Sequence, residues 1–89
     1  MRAVITVIGK DVVGILAKVS GACAQCNVNV TEVTQSVLQD VFAMIMMSDI
    51  KDCNIPFTDF AAKMGELGKD MGLSIHVMHE DIFNSMHRI

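Results

Sequence analysis

The chain has 89 residues, of which 52% are hydrophobic and 19% charged, and its formal net charge at pH 7 is −3. This length predicts one small domain, residues 1–89, and this hydrophobicity excludes a disordered chain. The acidic balance argues against a nucleic-acid partner, which requires a basic surface.

The first two predicted elements are a strand and a helix joined by a short polar loop. The β-branched run Val4–Ile8 predicts a strand that stops at Gly9. An apolar stripe then predicts a helix from Val13 to Cys26. Asp11 is the natural N-cap of this helix, and Asn27 suits the left-handed position at its end. The helix stripe consists of Ile15, Leu16, Val19, Ala22, Cys23 and Cys26.

The remaining elements follow from alternation and from turn residues. A strand over Val28–Leu38, a tight Gln39-Asp40 turn and a strand over Val41–Ser48 form a predicted hairpin. Pro56 and Gly72 bracket a second helix, and Leu73–His79 reads as the last strand. We expect Asp81 to cap a short terminal helix that carries Ile82, Phe83, Met86 and Ile89.

The order βαββαβ predicts an α+β, ferredoxin-like sandwich. Right-handed crossovers place both main helices on one face of a four-stranded antiparallel sheet, and the short C-terminal helix follows the last strand. The first and third strands are apolar on both faces, whereas a sheet with one wet face should alternate. We therefore expect the terminal helix and a second subunit to cover the open face, with Met44 and Met46 lining the interface.

The strand–loop–helix segment Asp11-Val12-Val13-Gly14-Ile15-Leu16 and the segment Asn27-Val28-Asn29-Val30 resemble those of ACT domains. The chain looks most like the stand-alone single-domain ACT proteins that are similar to the glycine cleavage system regulator. The family often has Pro before the glycine, where this chain has Val13.

The resemblance implies a dimeric, non-catalytic regulatory module that binds an amino acid between the first loop of one subunit and the second strand of its partner. Asp11 would meet the ligand's ammonium group, and Asn29 of the other subunit its polar end. The candidate ligand-binding residues are Asp11, Val12, Val13, Gly14, Ile15 and Asn29. The physical reading agrees, because free amides at a helix start attract a carboxylate while Asp11 attracts a cation.

Each of these polar residues also has a structural interpretation. Asp11 can act only as a helix cap, and Asn29 can be an ordinary polar residue at the start of a strand. The pair Cys23 and Cys26 predicts buried, unreactive thiols, because it lies at a helix end beside the apolar stripe. Period two places His76 and His79 on opposite faces of their strand, so we expect no shared metal and no cofactor.

Two functions remain open at this stage. One is the amino-acid-binding regulatory dimer, and the alternative is an interaction module that docks another protein through its apolar sheet face. No catalytic motif is visible, so we do not expect an enzyme. Three cysteines and no signal peptide predict a cytoplasmic protein, and the longest apolar run, 41–47, is too short to span a membrane.

Overall fold

The computed structural model describes residues 2–10 and 14–86. Its elements are β1 (Arg2–Lys10), α1 (Ile15–Gln25), β2 (Asn29–Leu38), β3 (Val41–Asp49), α2 (Phe57–Met71), β4 (Ser74–His79) and α3 (Glu80–Met86). The strands form one antiparallel sheet in the order β2-β3-β1-β4. This confirms the predicted ferredoxin-like topology.

The second helix forms where its stripe and its end signals predict. Pro56 stands at the N-cap, and the helix buries Phe60, Met64 and Gly68 along one face. Gly72 ends the helix in the left-handed conformation, with φ of 70°, which glycine adopts without strain from a side chain.

The first helix begins later than predicted. Its N-cap residue is Gly14, with φ of 83° and ψ of 11°, and Ile15 is the first helical residue. The prediction that the helix starts at Val13 with Asp11 as its cap is therefore wrong; residues 11–13 themselves lie outside the described part of the chain. The end of the helix is as expected, because Asn27 takes a positive φ of 59° just beyond it.

The third helix also begins differently. It follows β4 directly, and Glu80 and Asp81 both lie in its first turn. The prediction that Asp81 caps this helix is wrong, because Glu80 already precedes it within the helix. Acidic side chains in the first turn still stabilise a helix, because its N-terminus carries a partial positive charge.

The core lies between α1, α2 and the sheet face that they cover, called here the inner face. Its fully buried large side chains include Phe60, Ile5, Met44, Met46 and Met64. Met44 and Met46 are 1% and 0% exposed, so the prediction that they line an interface is wrong. The alternation of side chains along a strand predicts only that Met44 and Met46 share a face, and α1 and α2 cover that face.

The other face of the sheet, called here the outer face, is covered in part. Val4 belongs to it by alternation and is nevertheless 0% exposed. The third helix packs against β1 and β4, and Arg2 binds Glu80 through two hydrogen bonds, from Nε at 2.8 Å and from Nη2 at 2.5 Å. The predicted cover by the terminal helix is confirmed for the half of the face near the start of β1.

The β2–β3 hairpin contains the predicted tight turn and one irregularity. Leu38 pairs with Val41 across the turn, and Gln39 takes a positive φ of 59°. Near the other end the register shifts between Val30 and Glu32, which leaves Thr31 as an extra residue in β2. Before the bulge the odd-numbered residues of β2 lie on the outer face, and after it the even-numbered residues do.

Candidate functional site

The corner between β1 and α1 contains most of the candidate ligand-binding residues. The strand ends at Lys10 and the helix begins at Ile15, which is 3% exposed and anchored in the core. Gly14 is exposed and left-handed, and no atom lies within 4 Å of where its side chain would begin. Gly14 is thus exposed to solvent and Ile15 is anchored in the core, whereas Asp11, Val12 and Val13 lie outside the described residues.

The start of α1 offers backbone donors to a ligand. The first helical bond runs from the N–H of Lys18 to the carbonyl of Gly14, at 3.0 Å. The amides of Ile15, Leu16 and Ala17 precede it and have no acceptor inside the helix. The N-cap residue, Gly14, has no side chain that could cap the helix, and the first turn carries no acidic residue. These amides can therefore donate hydrogen bonds to the oxygens of an anion.

Two residues at this helix start were missed by the sequence reasoning. Leu16 was expected to widen the buried stripe but is 41% exposed. Lys18 is exposed as well and adds a positive charge one turn into the helix. Their position within four residues of Gly14, the glycine of the motif, was the available signal.

Asn29 does not lie beside this corner within one chain. It pairs with Asp49, which pairs with Arg2, whereas the corner follows Lys10 at the other end of β1. Eight residue steps along a strand separate the two ends by about 26 Å. Asn29 is exposed and, by register, shares the outer face with Asp49. Contact between Asn29 and the corner therefore requires a second chain.

The edge strand β2 is the surface where a second chain can supply that contact. It pairs with β3 on one side only. Val33 and Val37 face the side of the helices but are 39% and 60% exposed. An edge strand with exposed apolar side chains readily pairs with another strand.

Two of the three cysteines are buried, and Cys53 is half-buried. Cys23 and Cys26 are 0% and 2% exposed, and all three thiols are free. Burial raises the pKa of the Cys23 thiol to about 11, with smaller contributions from Cys26 and Cys53. The predicted burial is confirmed, and the predicted low reactivity is consistent with this raised pKa.

The two histidines of β4 lie on opposite faces, as predicted. His76 pairs with Thr6 on the outer face, and its Nε2 lies 3.0 Å from the hydroxyl of Ser74. His79 pairs with Ala3 on the inner face and tilts against the ring of Phe57, with centroids 5.9 Å apart. His87 lies outside the described residues. Within residues 2–10 and 14–86, no three histidines, cysteines or acids are placed to hold a metal ion.

Two shallow grooves lie away from the corner. A groove of 430 Å³ runs between α2 and the free edge of β4, lined by Ala61, Gly65 and Lys69. A second, of 280 Å³, separates α1 from α2 between Lys18 and Lys63. Neither groove includes any of the candidate ligand-binding residues.

Comparison with known proteins assigns the family. Residues 2–78 match the family model of the ACT domain. A UPF0237 protein of Listeria monocytogenes is 44% identical over 89 residues, which is the whole of both chains. The chain belongs to the ACT domain family.

Solved structures agree with this assignment. An ACT domain protein from Streptococcus pneumoniae is 33% identical, covers 98% of both chains and superposes with a TM-score of 0.82. A structure described as a putative glycine cleavage system transcriptional repressor has a TM-score of 0.72 at 23% identity, over 89% of this chain and 47% of that one. The latter likeness is one of fold.

Membership has a general functional meaning, because ACT domains are typically regulatory ligand-binding domains. Within the described part of the chain, no helix is both long enough and apolar enough to cross a membrane.

Proposed function

We propose that this protein is a non-catalytic regulatory domain that binds an α-amino acid at the β1–α1 corner and acts as a homodimer in the cytoplasm. The observation that carries the proposal is the start of α1, where the first backbone amides lack helical acceptors and the N-cap, Gly14, has no side chain to satisfy them. The ACT family match over residues 2–78 supports the same class of function.

The proposed ligand follows from the charges at the corner. The free amides after Gly14 favour a carboxylate, and the carboxylate of Asp11 favours an ammonium group. An α-amino acid carries both groups on neighbouring atoms, whereas Asp11 would repel a simple anion. Val12, Val13 and Ile15 would contribute backbone and apolar contacts beside these charges.

The proposed dimer explains how Asn29 can take part. Two β2 edges that pair antiparallel across a twofold axis bring the start of one β2 beside the end of the other. The partner's Asn29 then approaches the end of the sheet where Lys10 leads into the corner. Because Asn29 lies on the outer face, we expect the ligand to bind at the end of the joined sheet, where the ligand can contact both the corner and the outer face.

A thermal-shift panel of the amino acids, followed by calorimetric titration, tests the proposal. A ligand at about a hundred times its dissociation constant adds about 2.7 kcal/mol to the free energy of unfolding. Asp11→Asn removes the charge-assisted contact, worth roughly 1.5–3 kcal/mol, so we expect roughly ten- to hundredfold weaker binding. Asn29→Ala should also weaken binding.

The control is Asp59→Asn, which neutralises an exposed carboxylate on α2 outside the site. It should bind as tightly as wild type. If Asp11→Asn also binds like wild type, Asp11 is not a ligand contact. If no amino acid shifts the melting temperature, the result favours the alternative function, an interaction module that docks another protein. Such a module would use the apolar surface that the sheet exposes at Ile8, Val41 and Ile45.

A further inference from the structure

Three hydrogen bonds tie the end of α1 to the loop that follows β3. The backbone N–H of Asn54 donates to the carbonyl of Cys26 at 3.0 Å, and its side-chain amide donates to the carbonyl of Gln25 at 3.0 Å. Nδ2 of Asn27 donates to the carbonyl of Asp52 at 2.9 Å. One loop partner precedes the cysteine of the loop in sequence and the other follows it, so the loop is held against the helix end at that cysteine.

The bond between Asn54 and Cys26 limits how far Cys26 lies from Cys53. The Cα of Cys53 lies on the N–H side of the peptide that donates this bond, so the 3.0 Å contact places it about 4 Å from the accepting oxygen. That oxygen lies about 2.4 Å from the Cα of Cys26. The two Cα atoms are therefore at most about 6–7 Å apart, and disulfides join Cα atoms that are about 4.4–6.8 Å apart.

Both cysteine side chains pack on the same apolar core. Cys26 is 2% exposed and belongs to the core, and Cys53 is half-buried and packs against it. The pair thus combines one thiol that solvent can reach with one that is enclosed beside it. Redox-sensing cysteines share this arrangement, in which an accessible thiol lies next to a second thiol that resolves its oxidised form.

We propose that Cys53 and Cys26 are a redox-active pair, which a hydroperoxide converts into a disulfide. The thiolate of Cys53 attacks one oxygen of the peroxide and breaks the O–O bond, which leaves a sulfenic acid on Cys53 and releases the other oxygen as an alcohol or as water. The sulfur of Cys26 then attacks the sulfenic sulfur and displaces its oxygen as water. Two thiols and one hydroperoxide thus give one disulfide, one alcohol or water, and one further water, and two electrons pass from sulfur to the peroxide.

The third thiol, that of Cys23, is less suited to the second step. It lies one turn before Cys26 on α1 and is 0% exposed. Burial raises the pKa of this thiol to about 11, so it stays protonated at neutral pH, whereas the attacking species is the thiolate. Cys26 needs no access to solvent, because its target is the sulfur of a residue that the backbone bond holds beside it.

The disulfide would join the end of α1 to the loop between β3 and α2. It would close a loop over residues 26–53 and restrict the unfolded chain, so the oxidised protein should melt at a higher temperature than the reduced one. In a reducing compartment such a disulfide is transient and marks oxidative conditions. The pair lies at the opposite end of α1 from the β1–α1 corner, so the inference holds whether or not an amino acid binds there.

Oxidation of the reduced full chain by a small molar excess of hydrogen peroxide tests the inference. We expect the intact mass to fall by two hydrogen atoms and the number of thiols that can be alkylated after unfolding to fall from three to one. A peptide map without reductant should join Cys26 to Cys53, and dithiothreitol should restore the original mass. The same treatment in concentrated urea should lose this selectivity, because the fold no longer holds the pair together.

Single variants separate the roles of the three thiols. Cys53→Ser should slow the oxidation strongly and prevent the disulfide. Cys26→Ser should leave Cys53 without a resolving thiol, so that it gains two oxygen atoms as a sulfinic acid. Cys23→Ala is the matched control and should still form the disulfide. If a serine variant fails to fold, brief alkylation of the folded wild type replaces it: Cys53 should be labelled first, and that label should block the disulfide.

Four results would overturn the inference. The first is a wild-type protein in which Cys53 becomes a sulfinic acid and no disulfide forms. The second is a disulfide between Cys23 and Cys26, or one between two chains, as the main product of the folded protein. The third is a disulfide that forms with equal selectivity in urea. The fourth is loss of the disulfide in a folded Cys23→Ala protein, because Cys23 would then be the resolving thiol.

Discussion

The two faces of β3 are both mainly apolar, but only one of them is buried. On β3, Met44 and Met46 are almost fully buried, whereas Val41 and Ile45, interleaved with them, are 43% and 39% exposed. Both sets are apolar, so hydrophobicity does not determine which one forms the core. The crossover connections decide, because right-handed crossovers place α1 and α2 on the same side. The apolar residues of the other face are left in part to the short helix α3 and in part to solvent.

The largest expected effect comes from charging neighbouring residues of β3 that face opposite ways. Met46→Glu places a carboxyl group in the core without a partner, which costs several kcal/mol and is a large part of a stability of about 5–15 kcal/mol. Ile45→Glu places the same group on the outer face, so we expect it to fold.

Circular-dichroism melts of both variants check this contrast. We expect a cooperative transition for Ile45→Glu and none, or a strongly lowered one, for Met46→Glu. Equal loss of stability in the two variants would mean that the faces do not differ as described.

A second contrast lies on α2, between a glycine against the sheet and a glycine facing outward. A methyl group at Gly68 would lie 3.0 Å from both the carbonyl oxygen of Leu73 and a side-chain carbon of Ile75. One at Gly65 would have no atom within 4 Å. Overpacking costs about 1–3 kcal/mol, and alanine gains about 1 kcal/mol over glycine in a helix.

We therefore expect Gly68→Ala to lower the free energy of unfolding and Gly65→Ala to raise it slightly. Urea titrations of both proteins measure the two values. A stabilised Gly68→Ala would show that α2 can shift away from β4 at little cost.

The buried thiol beneath the inner face predicts a pH dependence. Burial raises the pKa of Cys23 to about 11 from its ordinary value of 9.0. Between these values the unfolded chain loses the thiol proton and the folded chain keeps it, so unfolding is favoured as the pH rises. Stability should be full below pH 9 and should fall toward pH 11. Denaturant unfolding across this window should show a steeper fall for wild type than for Cys23→Ala.

The smallest expected effect concerns the exposed pair that joins α3 to β1. The hydrogen bond from Arg2 lowers the pKa of the Glu80 carboxyl group. The contribution of this pair is therefore present above the unfolded pKa of the glutamate and is lost as the pH falls through the folded value. Glu80→Gln should make stability less sensitive to acid, measured by urea titration at neutral and acidic pH. An unchanged acid dependence would show that solvent screens the pair completely.

Particular residues show which parts of the fold could be predicted from the sequence. The bounds of α2 could be predicted because Pro56, Gly72 and a long apolar stripe agree with one another. The start of α1 could not, because an aspartate before an apolar stripe is equally suited to a cap and to a loop. Period two grouped Met44 with Met46 but gave no information about which face the helices would cover.

The candidate site remains a prediction, of which the structure describes Gly14, Ile15 and Asn29. Gly14 and the amides behind it follow from a strand that leads into a helix through a short loop. The role proposed for Asn29 requires a second chain, because about 26 Å of sheet separates it from that loop. No pattern within one chain specifies how two copies meet.

The bulge at Thr31 has one further consequence. It interrupts the alternation of side chains along β2. Asn29 and Glu32 are three residues apart, which in a regular strand would place them on opposite faces, yet both lie on the outer face. If Thr31 were instead paired within the ladder, strict alternation from Glu32 would turn Asn29 toward the inner face and Val30 toward solvent. The side of the sheet that Asn29 faces is thus set by the way in which its neighbour Thr31 is left out of the pairing.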